Sequence, residues 1–195
     1  MTEKTRIEVT GDPEADRLLS EDPLALLIGM LLDQQVPMER AFRGPLELKR
    51  RLAGRLDVHA IATAEPDELK RVFTGPPAIH RYPGSMAERV QRLCRTVVDK
   101  YGGRAERVWS EASDGAELFL RLKALPGFGD QKARIFTAVL AKRFGVRPPG
   151  WEEQAGRYAA AGFHSVADID GPQALARVRE SKREMKAAAR AEARR

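Results

Sequence analysis

The stretch Leu125-Pro126-Gly127-Phe128-Gly129 stands between two segments whose apolar residues recur at helical spacing, and it predicts a five-residue hairpin between two helices. This helix-hairpin-helix unit spans residues 115–144. Glycine has no Cβ atom, so the backbone at Gly127 and Gly129 can approach an anion closely. The N–H groups here and in the first turn of the next helix lack helical partners and can face a phosphate. A corner that only packs is the alternative, but the complete Leu-Pro-Gly-x-Gly pattern favours phosphate binding.

The rest of the chain also predicts helices. Asp22 is a typical N-cap because Pro23 follows it at the first helical position. The other predicted helices are 37–52 with an interruption at Gly44-Pro45, 67–73, one with a capping box at Ser85 and Glu88 that runs to Tyr101, 118–125 capped by Asp114, 130–144, 151–161 and 172–195. No sustained alternation of apolar and polar residues indicates a strand. We therefore predict an all-α fold.

Basic charge is concentrated at the C-terminal end of the chain. The 195 residues carry a formal net charge of +6. Residues 177–195 contain eight basic and three acidic side chains and so hold +5 of it. A pI near 9.7 suggests a nucleic-acid partner. Because a basic tail is often only a solvated helix, charge alone leaves this open.

Several protein classes are excluded by composition. One cysteine, Cys94, cannot form an internal disulfide, a four-cysteine zinc site or a four-cysteine iron–sulfur cluster. No apolar run approaches the ~20 residues of a membrane span, and Met1–Arg6 leads into no secretory signal. We expect a cytoplasmic protein, nucleoid-associated if prokaryotic, with no membrane contact and no metal.

Two blocks of the sequence carry a family resemblance. The hairpin resembles the helix-hairpin-helix of the HhH-GPD superfamily of base-excision DNA repair proteins, which includes endonuclease III and alkyladenine DNA glycosylases. The segment 22–36, with its Leu31-Leu32-Asp33-Gln34-Gln35 end, is similar to the family's early helix and precedes the hairpin by about 90 residues. The resemblance covers roughly residues 22–156. It implies a two-lobed helical HhH-GPD glycosylase fold, and the single cysteine leaves out the iron–sulfur cluster of the endonuclease III type. We divide the chain into an N-terminal segment 1–21, an HhH-GPD-like domain 22–170, and a basic C-terminal helix or tail 171–195 packed on the domain at its start.

The resemblance also assigns DNA contacts. In the family, the glutamine after the early helix enters the gap left by a flipped base, which corresponds here to Gln35 with Gln34 beside it. The loop before the long helix brings His80, Arg81 and Tyr82, which could offer a proton donor, a phosphate clamp and a stacking face. A proline-rich connector that only packs is the equal alternative. The remaining expected DNA contacts are Leu125, Gly127, Phe128, Gly129, Gln131 and Lys132.

The carboxylate departs from the family pattern. Family members have an aspartate after a Gly/Pro-rich loop, which supports the positively charged sugar of the transition state. Here the loop 145–150 is followed by Glu152 and Glu153. Either is a candidate catalytic residue, although paired glutamates also commonly stabilise a first helical turn. Bifunctional members form a Schiff base through a lysine whose position is Gln131 here, so no AP-lyase activity is expected. Lys132 is then a phosphate or solvent contact.

The sequence thus predicts a monomeric, monofunctional DNA N-glycosylase for base-excision repair, which flips and hydrolytically removes a damaged base from double-stranded DNA. No cofactor is expected, apart from a monovalent cation at the hairpin that the resemblance allows. One alternative is a catalytically inactive helix-hairpin-helix protein that binds DNA or senses lesions. Another is a helical interaction protein whose basic tail contacts an acidic partner.

Overall fold

The computed structural model describes residues 6–193. The expectation about a secretory signal at residues 1–6 therefore rests mostly on residues outside this range, as do the tail's Arg194 and Arg195. Within the described residues the chain forms helices and no β-strand, which confirms the all-α class. The α-helices are α1 (Pro13–Glu21), α2 (Pro23–Leu32), α3 (Met38–Arg51), α4 (Val58–Thr63), α5 (Pro66–Thr74), α6 (Pro83–Tyr101), α7 (Arg107–Ser110), α8 (Gly115–Lys123), α9 (Asp130–Phe144), α10 (Trp151–Ala155) and α11 (Pro172–Glu192), with 3₁₀ turns at Gly156–Tyr158 and Val166–Asp168.

Helix α2 is the buried centre of the N-terminal part. The Asp22 carboxylate accepts hydrogen bonds from the N–H groups of Leu24 and Ala25, at 2.9 and 3.2 Å, as the predicted cap requires. Every residue from Leu24 to Leu32 is buried, and α2 packs against α1, α3 and α6. This burial fixes the position of the loop that follows Leu32.

The helix-hairpin-helix is formed by α8 and α9, which pack against each other and against α10. Asp114 caps α8 by accepting a hydrogen bond from the N–H of Glu117 at 2.8 Å, as predicted. One apolar core runs from Ile7 in the N-terminal segment to Val178 in α11. Ala174 and Val178 anchor α11, and beyond them most of its side chains are exposed.

Three local predictions are wrong. Gly44-Pro45 does not interrupt α3, which runs through both residues. Both are buried, and tertiary packing commonly outweighs the low helix propensity of glycine and proline; Gly44 packs so closely on α2 that a Cβ there would lie only 2.5 Å from the Leu32 side chain. The capping box at Ser85 does not form: α6 begins earlier, at Pro83, and Glu88 pairs with Lys70 at 2.9 Å.

The third wrong prediction concerns the helix over 151–161. It ends at Ala155 and continues only as a 3₁₀ turn, because Gly156 adopts a left-handed φ of 58°.

Candidate functional site

The hairpin presents its backbone outward and its apolar side chains inward. Gly127 has a φ of 82°, which favours glycine, and the Phe128 N–H closes the turn on the Leu125 carbonyl at 3.0 Å. Leu125 and Phe128 are buried in the core. Of the predicted contacts in the hairpin, the structure therefore leaves the backbone and the glycines free to meet a ligand.

The first turn of α9 is open. Gly129 is its N-cap, and within the described residues no side chain caps this turn. An uncapped helix start offers unpaired N–H groups and positive dipole charge to an anion. Asp130 lies in the same turn, but Lys123 pairs with its carboxylate at 2.7 Å and offsets its charge.

The two glutamines after α2 differ in their freedom. The Gln34 amide donates to the Leu31 carbonyl at 2.9 Å and accepts from Arg89 at 2.8 Å. Gln35 is exposed, has a φ of 55°, and its side chain has no hydrogen bond within residues 6–193. A non-glycine residue rarely adopts this backbone conformation, which costs of order 1 kcal/mol. The structure thus leaves the Gln35 amide available and the Gln34 amide occupied.

His80 holds the glutamine loop in place. Its ring is fully buried, with Nε2 at 3.1 Å from the Leu32 carbonyl and 3.0 Å from the Gln34 carbonyl. The Tyr82 N–H donates to Nδ1 at 3.0 Å, so the proton resides on Nε2. Burial lowers the pKa of His80, while the two carbonyls oppose that shift. The expectation of an accessible proton donor at His80 is corrected, because this imidazole is enclosed and already engaged.

Arg81 and Tyr82 remain at the surface beside this loop. Both are exposed, and the Arg81 guanidinium lies 5.5 Å from the centre of the Tyr82 ring. A cation stacked on an aromatic face suits contacts with phosphates and bases.

A cleft of about 730 Å³ lies between the glutamine loop, the start of α9 and α11. A second, smaller recess of about 300 Å³ beside Tyr158 and Lys186 shares Gln131, Ile135 and Lys182 with this cleft. The residues lining the cleft are Met30, Asp33, Gln34, Gln35, Val36, Pro37, Met38, Glu39, Gln131, Lys132, Ile135, Arg179, Lys182 and Arg183. The structure therefore brings together Gln34, Gln35, Gln131 and Lys132, which the sequence suggested separately.

Lys132 points into this cleft toward the end of α2. Its Nζ donates to the carbonyls of Met30 and Leu31 at 2.8 and 2.7 Å. Burial lowers the pKa of Lys132 to about 8, and the charge of Asp33 partly opposes that shift. The lysine thus caps the C-terminal end of α2, which differs from the predicted phosphate or solvent contact.

Gln131 lies on the adjacent face of α9. It donates a 3.2 Å hydrogen bond to the hydroxyl of Tyr158, and its side chain lies at the junction of the cleft and the recess.

Asp33, Lys182 and Arg183 are cleft residues that the sequence analysis missed. Burial raises the pKa of Asp33, while the charges of Lys182 and Lys132 oppose the shift. The Nζ of Lys182 lies 3.2 Å from the Met38 sulfur. Asp33 could have been found from the sequence, because it directly precedes the glutamine pair. Lys182 and Arg183 are recognised as cleft residues only once α11 is seen to line the cleft.

Glu152 and Glu153 lie apart from the cleft lining. Both are exposed in the first turn of α10. Helix α10 is fastened to α9 through Arg134, which donates to the Gln154 carbonyl at 2.8 Å. The structure does not bring either glutamate together with Gln35 or Lys132 in this cleft.

Over residues 6–193 no group of three or more His, Cys, Asp or Glu side chains is arranged to hold a metal ion. Among the same residues, no helix has the length and apolarity needed to cross a membrane. Comparison of the chain with protein-family models, with curated proteins and with solved structures gave no match in any of the three.

Proposed function

We propose that this chain is a DNA-binding protein of base-excision repair that flips a damaged nucleotide and hydrolyses its N-glycosidic bond, with the two-lobed fold that the HhH-GPD resemblance implies. The observation that carries the proposal is the convergence of the uncapped hairpin helix α9 and the free Gln35 amide on one basic cleft. To hold a flipped nucleotide, a protein needs a phosphate-binding site, a side chain that fills the gap in the base stack, and a pocket for the extruded base.

Each part of the site has a task in this proposal. The backbone N–H groups around Gly129 bind a phosphate of the duplex without reading sequence. The Gln35 amide, with both donors and an acceptor, meets the edge of the orphaned base. Lys182 and Arg183 make the cleft attractive to the DNA backbone. Double-stranded DNA with a damaged base is the partner, and the protein acts as a monomer without a required cofactor.

The chemistry we propose is monofunctional. Gln131 occupies the position of the Schiff-base lysine in bifunctional relatives, and it is an amide without nucleophilic character. Lys132 is one residue further and directs its Nζ to the carbonyls of Met30 and Leu31. The product is therefore an intact abasic site.

A panel of duplexes, each with one defined lesion, tests the proposal. After incubation with the protein, hot alkali should cleave at least one lesion strand at the lesion, while the undamaged duplex stays intact. Absence of excision on every lesion, combined with no preference for lesion over undamaged duplexes in binding, would falsify the proposed function.

One observation favours the second candidate, a catalytically inactive lesion sensor. Glu152 and Glu153, the carboxylates expected at the family's catalytic position, are exposed and outside the cleft lining. A sensor would bind lesion duplexes more tightly than undamaged ones and release no base from any of them. The same panel separates the two candidates.

A further inference from the structure

The Asp33 carboxylate faces the cleft without a partner. Within residues 6–193 it accepts no hydrogen bond and forms no ion pair, although Lys132 and Lys182 lie close enough to influence its charge. The other carboxylate in the cleft lining, Glu39, is held in an ion pair with Arg179 through its Oε1, while its Oε2 is buried and accepts no hydrogen bond within the described residues. Asp33 is half-buried, and a carboxylate that lines a cleft beside two lysines, with no hydrogen bond to occupy it, is a candidate functional group.

We propose, on the basis of the function above, that Asp33 is the catalytic carboxylate of the cleft and that it faces the sugar of the flipped nucleotide. When the C1′–N bond breaks, its electron pair leaves with the base and C1′ becomes positively charged. The negative Asp33 side chain stabilises that charge. A water oxygen then bonds to C1′, and its proton passes through Asp33 to the departing base nitrogen, so the products are the abasic sugar and the neutral free base.

The position of Asp33 is fixed from both sides. It is the C-cap of α2, the buried helix, and its N–H donates to the Met30 carbonyl at 3.3 Å. On its other side, His80 clamps the Gln34 carbonyl. A group held by a rigid helix end needs little reorganisation as charge develops on the substrate.

Gln35 relates this carboxylate to the DNA. It is two residues beyond Asp33 and lies at the same cleft. An amide that fills the gap in the base stack would therefore place the extruded sugar close to Asp33. Glu152 and Glu153 have no such relation to the gap-filling residue.

Lys132 is a positioning residue in this arrangement. Its Nζ is tied to the end of α2 by two carbonyls, and its charge favours the ionised form of Asp33. The competing explanation is that Asp33 only balances the charges of Lys132 and Lys182. That explanation predicts no effect of Asp33 on recognition of a cationic sugar.

Binding to sugar analogues tests the assignment without knowledge of the lesion. One duplex carries a pyrrolidine in place of a nucleotide, which is cationic and mimics the transition state. The matched duplex carries a neutral tetrahydrofuran. The wild type should bind the pyrrolidine duplex at least about tenfold more tightly, and Asp33→Asn should reduce that preference to near unity. Glu152→Gln and Glu153→Gln are the matched controls and should keep it.

The outcomes separate this inference from the proposed function. If the wild type binds neither analogue better than undamaged DNA and also excises no base from the lesion panel, the proposed function fails and the inference fails with it; if it excises a base but binds neither analogue better, only the assignment to Asp33 is overturned. If the wild type binds both analogues well, but without a preference or with one that Asp33→Asn preserves, only the assignment to Asp33 is overturned. Thermal unfolding of each variant shows that it is folded; should Asp33→Asn unfold, Asp33→Glu replaces it and is expected to weaken the preference, because the charge is displaced by one methylene.

Discussion

The Nζ of Lys132 lies 2.7 Å from the carbonyl oxygen of Leu31, which ties the second helix of the hairpin to the last turn of α2. The two residues are 101 positions apart. Helix C-terminal carbonyls are unsatisfied within the helix and carry partial negative charge, so a lysine is a suitable cap. The start of α9 and the glutamine loop both line the cleft, and this contact joins them.

Because the pKa of Lys132 is lowered from 10.5 to about 8, this lysine should make stability depend on pH. Between pH 8 and 10.5 the unfolded chain binds a proton at this lysine and the folded chain does not, so the contribution of Lys132 to the free energy of unfolding rises with pH. We expect the wild type to gain roughly 1–3 kcal/mol relative to Lys132→Met from pH 7 to 10.5. Urea denaturation at several pH values measures this difference.

The comparison with Lys132→Met cancels the titration of all groups that both proteins share. Neutral lysine still has two N–H donors for the carbonyls of Met30 and Leu31, so the contact survives deprotonation. A difference that stays flat over this pH range would contradict the assigned pKa.

Gly129 offers a way to separate stability from DNA binding. Its φ of −107° is open to any residue, and a Cβ there would meet no atom within 4 Å. Gly129→Asp should cap α9 and raise the free energy of unfolding by roughly 0.5–1 kcal/mol. The same carboxylate occupies the phosphate position, so affinity for all DNA sequences should fall alike. Fluorescence anisotropy at fixed salt measures the loss.

Gly129→Ser is the control for added negative charge, since it caps the helix with a neutral hydroxyl. Gly127→Ala is the control for strain: a φ of 82° and a Cβ at 3.3 Å from Leu31 Cγ should destabilise the fold by about 1 kcal/mol or more. Unchanged affinity in Gly129→Asp would rule out the hairpin as the phosphate site.

Substitution of Gln35 should likewise affect stability and DNA binding in different ways. Glycine at position 35 would remove the strain of the φ of 55°, but it is also more flexible in the unfolded chain. Gln35→Gly should therefore leave the free energy of unfolding unchanged or raise it by up to about 1 kcal/mol. Loss of the amide should lower affinity for lesion duplexes while affinity for undamaged DNA stays. Parallel titrations of the two duplexes give the ratio of the two affinities.

Gln34→Ala is the comparison variant. It should lower the free energy of unfolding by about 1–2 kcal/mol, because the hydrogen bonds of Gln34 with Leu31 and Arg89 disappear.

Local sequence signals predicted the elements that carry the site. The Asp22-Pro23 start of α2 and the glycine hairpin depend on backbone chemistry within a few residues, and both are present in the structure. The same reasoning failed at Gly44-Pro45, where α3 continues through both residues and Gly44 packs closely against Leu32 of another helix.

The polar contacts of the site could not be predicted in this way. Lys132 was placed by counting around one helix, but its Nζ is directed by carbonyls about 100 residues earlier in the chain. His80 and Asp33 gain their surroundings only when α2, the loop before α6 and α11 come together. Such long-range contacts leave no periodic signal in a single sequence.

Excision should leave no covalent intermediate between protein and DNA. Gln131 cannot form a Schiff base, and the Lys132 Nζ is occupied by two carbonyls. Incubation of the protein with an abasic-site duplex and sodium borohydride should therefore give no slower-migrating adduct on a denaturing gel. An adduct that Lys132→Met abolishes would contradict this prediction and identify Lys132 as a nucleophile.

The last prediction concerns α11, whose cleft face supplies positive charge. Arg183 lines the cleft, whereas Arg190, on the same helix, does not. Each phosphate contact that is lost should reduce the slope of log affinity against log salt by about 0.9 for duplex DNA. We therefore expect Arg183→Ala to reduce the magnitude of this slope by about 0.9, the value for one lost phosphate contact. Arg190→Ala removes the same charge and should leave the slope nearly unchanged. Titrations of one undamaged duplex at four salt concentrations give both slopes. Equal slopes in the two variants would show that the tail attracts DNA only through its net charge, and that α11 does not form a wall of the DNA-binding cleft.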